Sequence, residues 1–293
     1  MFKKILKCPI CSGPVPSNLI VVISPWIREL GVASRLSRYS ICDNCGTGLF
    51  AKRYNPKEMT GIYKNYRGEK YLSIRSKWEP WYSGEYNSNH DSQEWIESRK
   101  SSLTNFLAIN GITSCNSIVD VGGDRGQYIP DITKEKIVFD ISEKSSTSGV
   151  TRYSLFDELP FSDLIIYAHV LEHVQNPLQE LQILFQKTNC LYVEVPYGVP
   201  IINKYRKSRF RLLLHLTSSL SRVLWRRTTS PATGRKVISN KMITQSEHLT
   251  FFCEESMERL AIKLNAELVL QRTVISTPDL NNGEVIQCLL TVR

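Results

Sequence analysis

The stretch Ile118-Val-Asp-Val-Gly-Gly-Asp-Arg-Gly126 decides the fold: a short apolar run with one acidic residue in it ends in a glycine-rich bend. Gly122, Gly123 and Gly126 let a backbone turn tightly and approach a ligand without Cβ clashes. Downstream, short apolar runs alternate with helix-like stretches, the pattern of βαβ units around a parallel sheet. Ser117 to Val121 is expected to be the first strand, Lys136 to Phe139 the second, and a region near Val150 to Tyr153 the third. Asp163 to Tyr167 and Cys190 to Val195 follow as the fourth and fifth. Asn176-Pro177 predicts a helix opening at Leu178, because proline is tolerated in the first turn. Glu254 to Leu264 predicts another, with Met257, Leu260, Ala261 and Leu264 at helical spacing. Glu267 to Val274 and Val285 to Val292, joined by the turn-rich 277–283, predict a terminal hairpin.

Asp120 precedes the bend, and Asp140 stands 20 residues on at the end of the next strand. A carboxylate there can accept both hydroxyls of a ribose. A dinucleotide would want G-x-G-x-x-G with a helix N-terminus facing pyrophosphate, and this spacing does not supply it. A nucleoside without phosphate fits better.

On these residues the chain resembles the class I S-adenosylmethionine (SAM)-dependent methyltransferases, whose motif is roughly D-x-G-x-G-x-G. Asp120, Gly122 and Gly126 match it, while Asp124 replaces the central glycine and Gly123 its small neighbour. Phe161-Ser-Asp-Leu-Ile-Ile-Tyr-Ala-His-Val-Leu-Glu-His-Val-Gln-Asn-Pro177 is similar to the family's segment after strand four. The resemblance covers about 118–293. It implies a Rossmann-like sheet of seven strands, the last antiparallel, with SAM held by Asp120, Gly122, Gly123, Gly126 and Asp140. It further implies His169 beside the methionine part of SAM and the loop 155–159 near the adenine.

Methyl transfer from a sulfonium is an in-line displacement, so the protein has to align the acceptor and remove a proton. Histidine suits that work near neutral pH. Of His90, His169, His173, His215 and His248, the last lies in Ser246-Glu-His-Leu-Thr-Phe-Phe252. This segment resembles the E-H-x-x-[FY]-F element of zinc-ribbon methyltransferases, including nucleotide-sugar C-methyltransferases. That resemblance implies His248 as general base, with Glu247 assisting and His169 nearby. Gln245 stands where those enzymes often carry tyrosine. The competing reading makes 246–252 a capping and packing segment. His169, Glu172 and His173 stand at helical spacing and offer metal-ligand types, but Glu172 and His173 are read as mainly structural.

Cys8-Pro-Ile-Cys11 and Cys42-Asp-Asn-Cys45 form two knuckles 30 residues apart, each offering two thiolates from a tight turn. Tetrahedral Zn2+ takes that arrangement, so the four cysteines are expected to hold zinc in an N-terminal ribbon over residues 1–55. An aromatic connector, 56–115, and a catalytic domain, 116–293, follow. Cys115, Cys190, Cys253 and Cys288 sit among apolar neighbours and are read as packing.

With 42% hydrophobic and 22% charged residues, disordered and fibrous readings are excluded. A net charge of +9 favours an anionic partner, and much of the excess lies in 204–227, which holds no acidic residue. This basic insert, about 200–245, is read as a surface helix, a lid over an acidic substrate, or a peripheral contact with an anionic membrane. The lack of a membrane-length or export-type apolar segment places the chain in the cytoplasm. The expected acceptor is a small molecule or glycan precursor, with nucleic acid less favoured. The rivals are RNA or protein methylation and a catalytically silent SAM-binding assembly protein.

Overall fold

The computed structural model describes residues 7–16, 19–80, 82–84, 88, 91–142, 144–207, 244–275 and 283–292. Among them, a seven-stranded sheet is built from β4 (Cys115–Val121), β5 (Thr133–Phe139), β6 (Val150–Tyr153), β7 (Leu164–Ala168), β8 (Cys190–Pro196), β11 (Ala266–Ile275) and β12 (Gly283–Val292). Its order is β11-β12-β8-β7-β4-β5-β6. β4, β5, β6, β7 and β8 pair in parallel, while β12 runs antiparallel to both β8 and β11. This is the seven-stranded, Rossmann-like sheet with an antiparallel last strand that the resemblance implied.

Strand periodicity sends alternate side chains to opposite faces. Val119, Val121, Ile165, Tyr167, Leu191, Val193, Ile286 and Cys288 share one core with α5 (Pro177–Leu184) and α7 (Glu254–Leu264). Ile118, Leu164, Ile166, Tyr192 and Leu289 pack on the other face against Leu103, Phe106 and Leu107 of α4 (Gln93–Ile109). Asp120, Glu194 and Gln287 share the parity of that second face. They are polar exceptions on that face, all at most 3% exposed.

One expectation is corrected. The early strands do not alternate with helices: turns and loops connect β4 to β5 and β5 to β6 in the described residues. Gly122, Gly123, Gly126 and Pro130 explain the first connection, since they disfavour a regular helix.

The N-terminal module forms a second sheet, ordered β10-β3-β2-β1-β9. It contains β1 (Leu19–Ile23), β2 (Leu36–Ile41), β3 (Gly48–Phe50), β9 (Thr244–Gln245) and β10 (Thr250–Phe251). The last two come from the far end of the chain and flank Glu247 and His248. Trp26 and Ile27 of α1 (Pro25–Glu29) join Tyr54, Ile62 of α2 (Pro56–Tyr63), Tyr71 of α3 (Glu69–Trp78), Tyr82 and Leu249 in a third core. Thus the aromatic connector binds the start of the chain to the 244–251 segment. Most of the basic insert lies outside the described residues; α6 (Val199–Lys207) covers its start. His90 and His215 are also outside them. No helix among the described residues is long and apolar enough to cross a membrane.

Candidate active site

The glycine bend opens on a cavity of about 430 Å³ at the carboxyl ends of β4 and β7, covered by α4 and the connector. Ligands of open α/β sheets bind at this edge. The bend's conformation follows from its residues. Gly122 has φ +78°, and a Cβ there would lie 2.5 Å from Val170. At Gly123 a Cβ would come within 2.2 Å of the Asp120 carboxyl carbon. Gly126, at φ +73°, is closed in by Val150 and Val138 and does not line the cavity. Asp124 takes a left-handed conformation, φ +54°, in place of the family glycine. Lys144 pairs with its carboxylate at 3.0 Å.

Asp120 lines the cavity and is 3% exposed. Burial, reinforced by the Asp140 charge, pushes its carboxyl up to about 7. Asp140 closes β5, where its two oxygens accept the backbone N–H groups of Asp124 (2.9 Å) and Ser142 (2.6 Å). Each carboxylate oxygen retains acceptor capacity, although Asp140 is not part of the cavity wall.

His169 follows β7 with φ +57°, an uncommon conformation for a non-glycine residue. Its Nε2 lies 2.9 Å from Glu194 Oε1, and its Nδ1 lies 3.6 Å from Glu172 Oε1. Burial opposes its charge, but these two carboxylates outweigh that cost and raise its pKa to about 9. Glu194 also pairs with Arg99 at 2.6 Å and accepts from the Tyr192 hydroxyl at 2.6 Å. Arg99 and His169 hold Glu194 ionised, far below the usual carboxylate range, despite its burial.

Residues 169–175 form turns rather than the helix their spacing suggested. The turn brings Glu172 and His173 against His248. The His173 and His248 rings meet edge-on with centroids 4.7 Å apart, and Tyr63 Oη lies 2.9 Å from His173 Nδ1. Desolvation and the neighbouring His173 lower His248 to about 4, leaving a neutral imidazole. Glu247 is tied to Arg75 and Tyr71, with 3.2 Å to each. Burial resists its ionisation, but Arg75 prevails and lowers it to about 2. Gln245 is fully buried and donates to the Lys52 carbonyl at 2.7 Å, outside the cavity wall.

The sequence reading missed Arg67, Arg99, Glu194, Tyr128 and Tyr192, which also line the cavity. Residue type was the available signal for Glu194, a lone carboxylate inside the apolar run of β8. Arg67 has φ +59° and sits 5.2 Å from the Tyr66 ring. Its cavity position appears only once the connector folds over the sheet.

Cys8, Cys11, Cys42 and Cys45 form one cluster, with all four sulfurs within 4.8 Å of one another. Cys8–Cys45 and Cys11–Cys42 are 3.7 and 3.4 Å apart. Burial pushes the Cys42 thiol up to about 11. The bond to Cys8, together with burial, raises Cys45 further. Four crowded sulfurs of this kind suit a divalent cation that compensates their thiolate charge. The donor set therefore fits zinc.

No family model matches this sequence, and none of the curated proteins matches it. Similar solved structures include the plantazolicin methyltransferase BpumL bound to a monoazolic desmethylPZN analogue and S-adenosylhomocysteine (SAH). It has 13% identity and a TM-score of 0.44 over 76% of this chain and 95% of that one. The N-methyltransferase NodS from Bradyrhizobium japonicum WM9 has 12% identity and a TM-score of 0.42 over 69% and 99%. Magnesium protoporphyrin IX methyltransferase from Synechocystis PCC 6803, bound to SAH, has 12% and 0.37 over 66% and 81%. Likeness at this level says nothing about a substrate, and the fold assignment rests on the strand order itself.

Proposed function

We propose that this chain is an enzyme that transfers the methyl group of SAM to a small-molecule or carbohydrate-type acceptor, such as a nucleotide sugar or glycan precursor. The observation that carries this reading is the bend at Gly122 and Gly123. Its two glycines leave no room for a Cβ against Val170 and the buried Asp120, and the bend lines a cavity at the carboxyl edge of the seven-stranded sheet. SAM, when bound, supplies a methyl group on a positively charged sulfur.

Asp120 places negative potential under the bend, and Asp140 keeps acceptor capacity for ribose hydroxyls. His169, fixed by Glu194, borders the methionine end. A net charge of +9 agrees with an anionic acceptor, to which Arg67 on the cavity wall can contribute. Arg75 and Tyr71 fix Glu247, and through it the position of its neighbour His248. The imidazole lone pair of His248 can serve an acceptor in two ways: by taking its proton, the role the resemblance implies, or by binding a cation that binds the acceptor.

Zinc at the four cysteines would be structural. The ribbon is anchored to α7 through Thr47 Oγ1, which donates to Ser256 Oγ at 2.8 Å, and through Cys253 Sγ, 3.2 Å from the Cys45 carbonyl. Radiolabelled SAM incubated with pools of nucleotide sugars, glycan precursors and RNA tests the assignment. Label in a sugar fraction supports it. Label in RNA, or SAM binding without any turnover, replaces it with one of the rival readings.

A further inference from the structure

Glu172 is 1% exposed and lines the cavity, yet neither of its carboxylate oxygens has a hydrogen-bond partner among the described residues. A buried carboxylate without hydrogen bonds is costly, and the charged His169 offsets that cost only from beyond hydrogen-bond distance, which leaves both oxygens with capacity for a ligand. The nearest ring nitrogens fall short of hydrogen-bond distance, at 3.6 Å for His169 Nδ1 and 3.7 Å for His173 Nε2. One ligand atom each from Glu172, His173 and His248 lie within 4.8 Å of one another. The Tyr63 hydroxyl engages His173 Nδ1 and leaves Nε2 facing Glu172, the outer-sphere arrangement that orients metal-binding histidines. The backbone holds the three together: the Leu249 and Thr250 amides, next to His248, donate to the Glu172 carbonyl at 2.8 and 3.1 Å.

We propose that Glu172, His173 and His248 bind a divalent first-row transition cation, which presents an acceptor hydroxyl to the methyl donor. Two imidazoles and one carboxylate suit such a cation better than Mg2+ or Ca2+, which favour oxygen ligands. Three protein ligands leave further positions on a six-coordinate ion, enough for two neighbouring oxygens of a vicinal diol. Binding to the cation acidifies the hydroxyl, whose proton passes to solvent. The acceptor oxygen then bonds to the methyl carbon while the carbon–sulfur bond breaks, its electron pair remaining on sulfur as a neutral thioether. His248 is a ligand in this arrangement, and the reaction becomes O-methylation of a diol-bearing acceptor. This inference rests on the methyl-transfer reading.

Mn2+ is the probe, because the four thiolates select zinc over this harder ion. Electron paramagnetic resonance of free Mn2+ during titration of the full chain should show one bound ion. Glu172→Gln and His248→Ala should each weaken it at least about tenfold, and Tyr63→Phe by about tenfold. Circular dichroism confirms that the variants are folded, and Tyr63→Phe, which keeps all three ligands, serves if either ligand variant does not fold. SAM titration of the same samples separates the two readings. SAM binding without Mn2+ binding, or Mn2+ affinity unchanged across the variants, overturns the cation site alone. Mn2+ binding without SAM binding keeps the site and overturns methyl transfer.

Discussion

Arg75 Nη1 lies 3.2 Å from Glu247 Oε1, joining residues 172 positions apart beside the candidate active site. The guanidinium also lies 3.8 Å from the Tyr82 ring centre and 4.5 Å from that of Trp26. It therefore draws the connector, α1 and the 244–251 segment together. Removing one partner of a buried pair strands the other charge.

Arg75→Met should accordingly destabilise the protein by about 3–5 kcal/mol, while Arg75→Met with Glu247→Gln should recover part of that loss. Chemical denaturation of the two single variants and the double variant checks the coupling. Additive losses would show that the pair is not energetically joined.

The ribbon predicts a linked loss of metal and stability. Cys11→Ala should reduce zinc from one ion per chain to none, read by elemental analysis, and lower Tm by about 10 °C or more. Thr47→Val keeps all four cysteines and should retain zinc, at a cost of about 1–2 kcal/mol, because it removes the hydrogen bond to Ser256 and the contact of 3.0 Å with Cys45 Sγ.

Asp120 gives the ligand-free protein a defined pH response. Its carboxyl is raised from 3.8 to about 7 in the folded chain, so the folded state binds the proton more tightly than the unfolded state. Its contribution to stability is complete below about pH 4 and is lost as pH rises through about 7, on the order of 4 kcal/mol in all. Asp120→Asn should therefore have a higher Tm than wild type at pH 8 and nearly the same Tm at pH 4, in melting curves recorded without SAM.

Much of the sheet was legible because its strands carry short apolar runs with clear ends. The fifth strand starts at Cys190 as expected, and α7 has the expected bounds, Glu254 to Leu264. The missing helix after β4 was harder to read, because the glycine bend is compatible with either a helix start or a long turn. The site was legible where a local motif marked it, at Asp120, Gly122, Gly123 and the four cysteines. Arg67, Arg75, Arg99 and Glu194 carry no such mark. Their positions depend on the connector folding over the sheet and on strands β9 and β10 joining the N-terminal sheet, pairings between distant segments that no local spacing encodes.

Isothermal titration of SAH into the wild-type chain and into Gly123→Val tests the central claim. Wild type should bind one SAH per chain, and the variant, whose Cβ would come within 2.2 Å of the Asp120 carboxyl carbon and so displace that cavity-lining group, should bind at least about 100-fold more weakly while remaining folded. A folded wild-type chain that takes up no SAH, or a variant that binds it as tightly as wild type, would contradict the account.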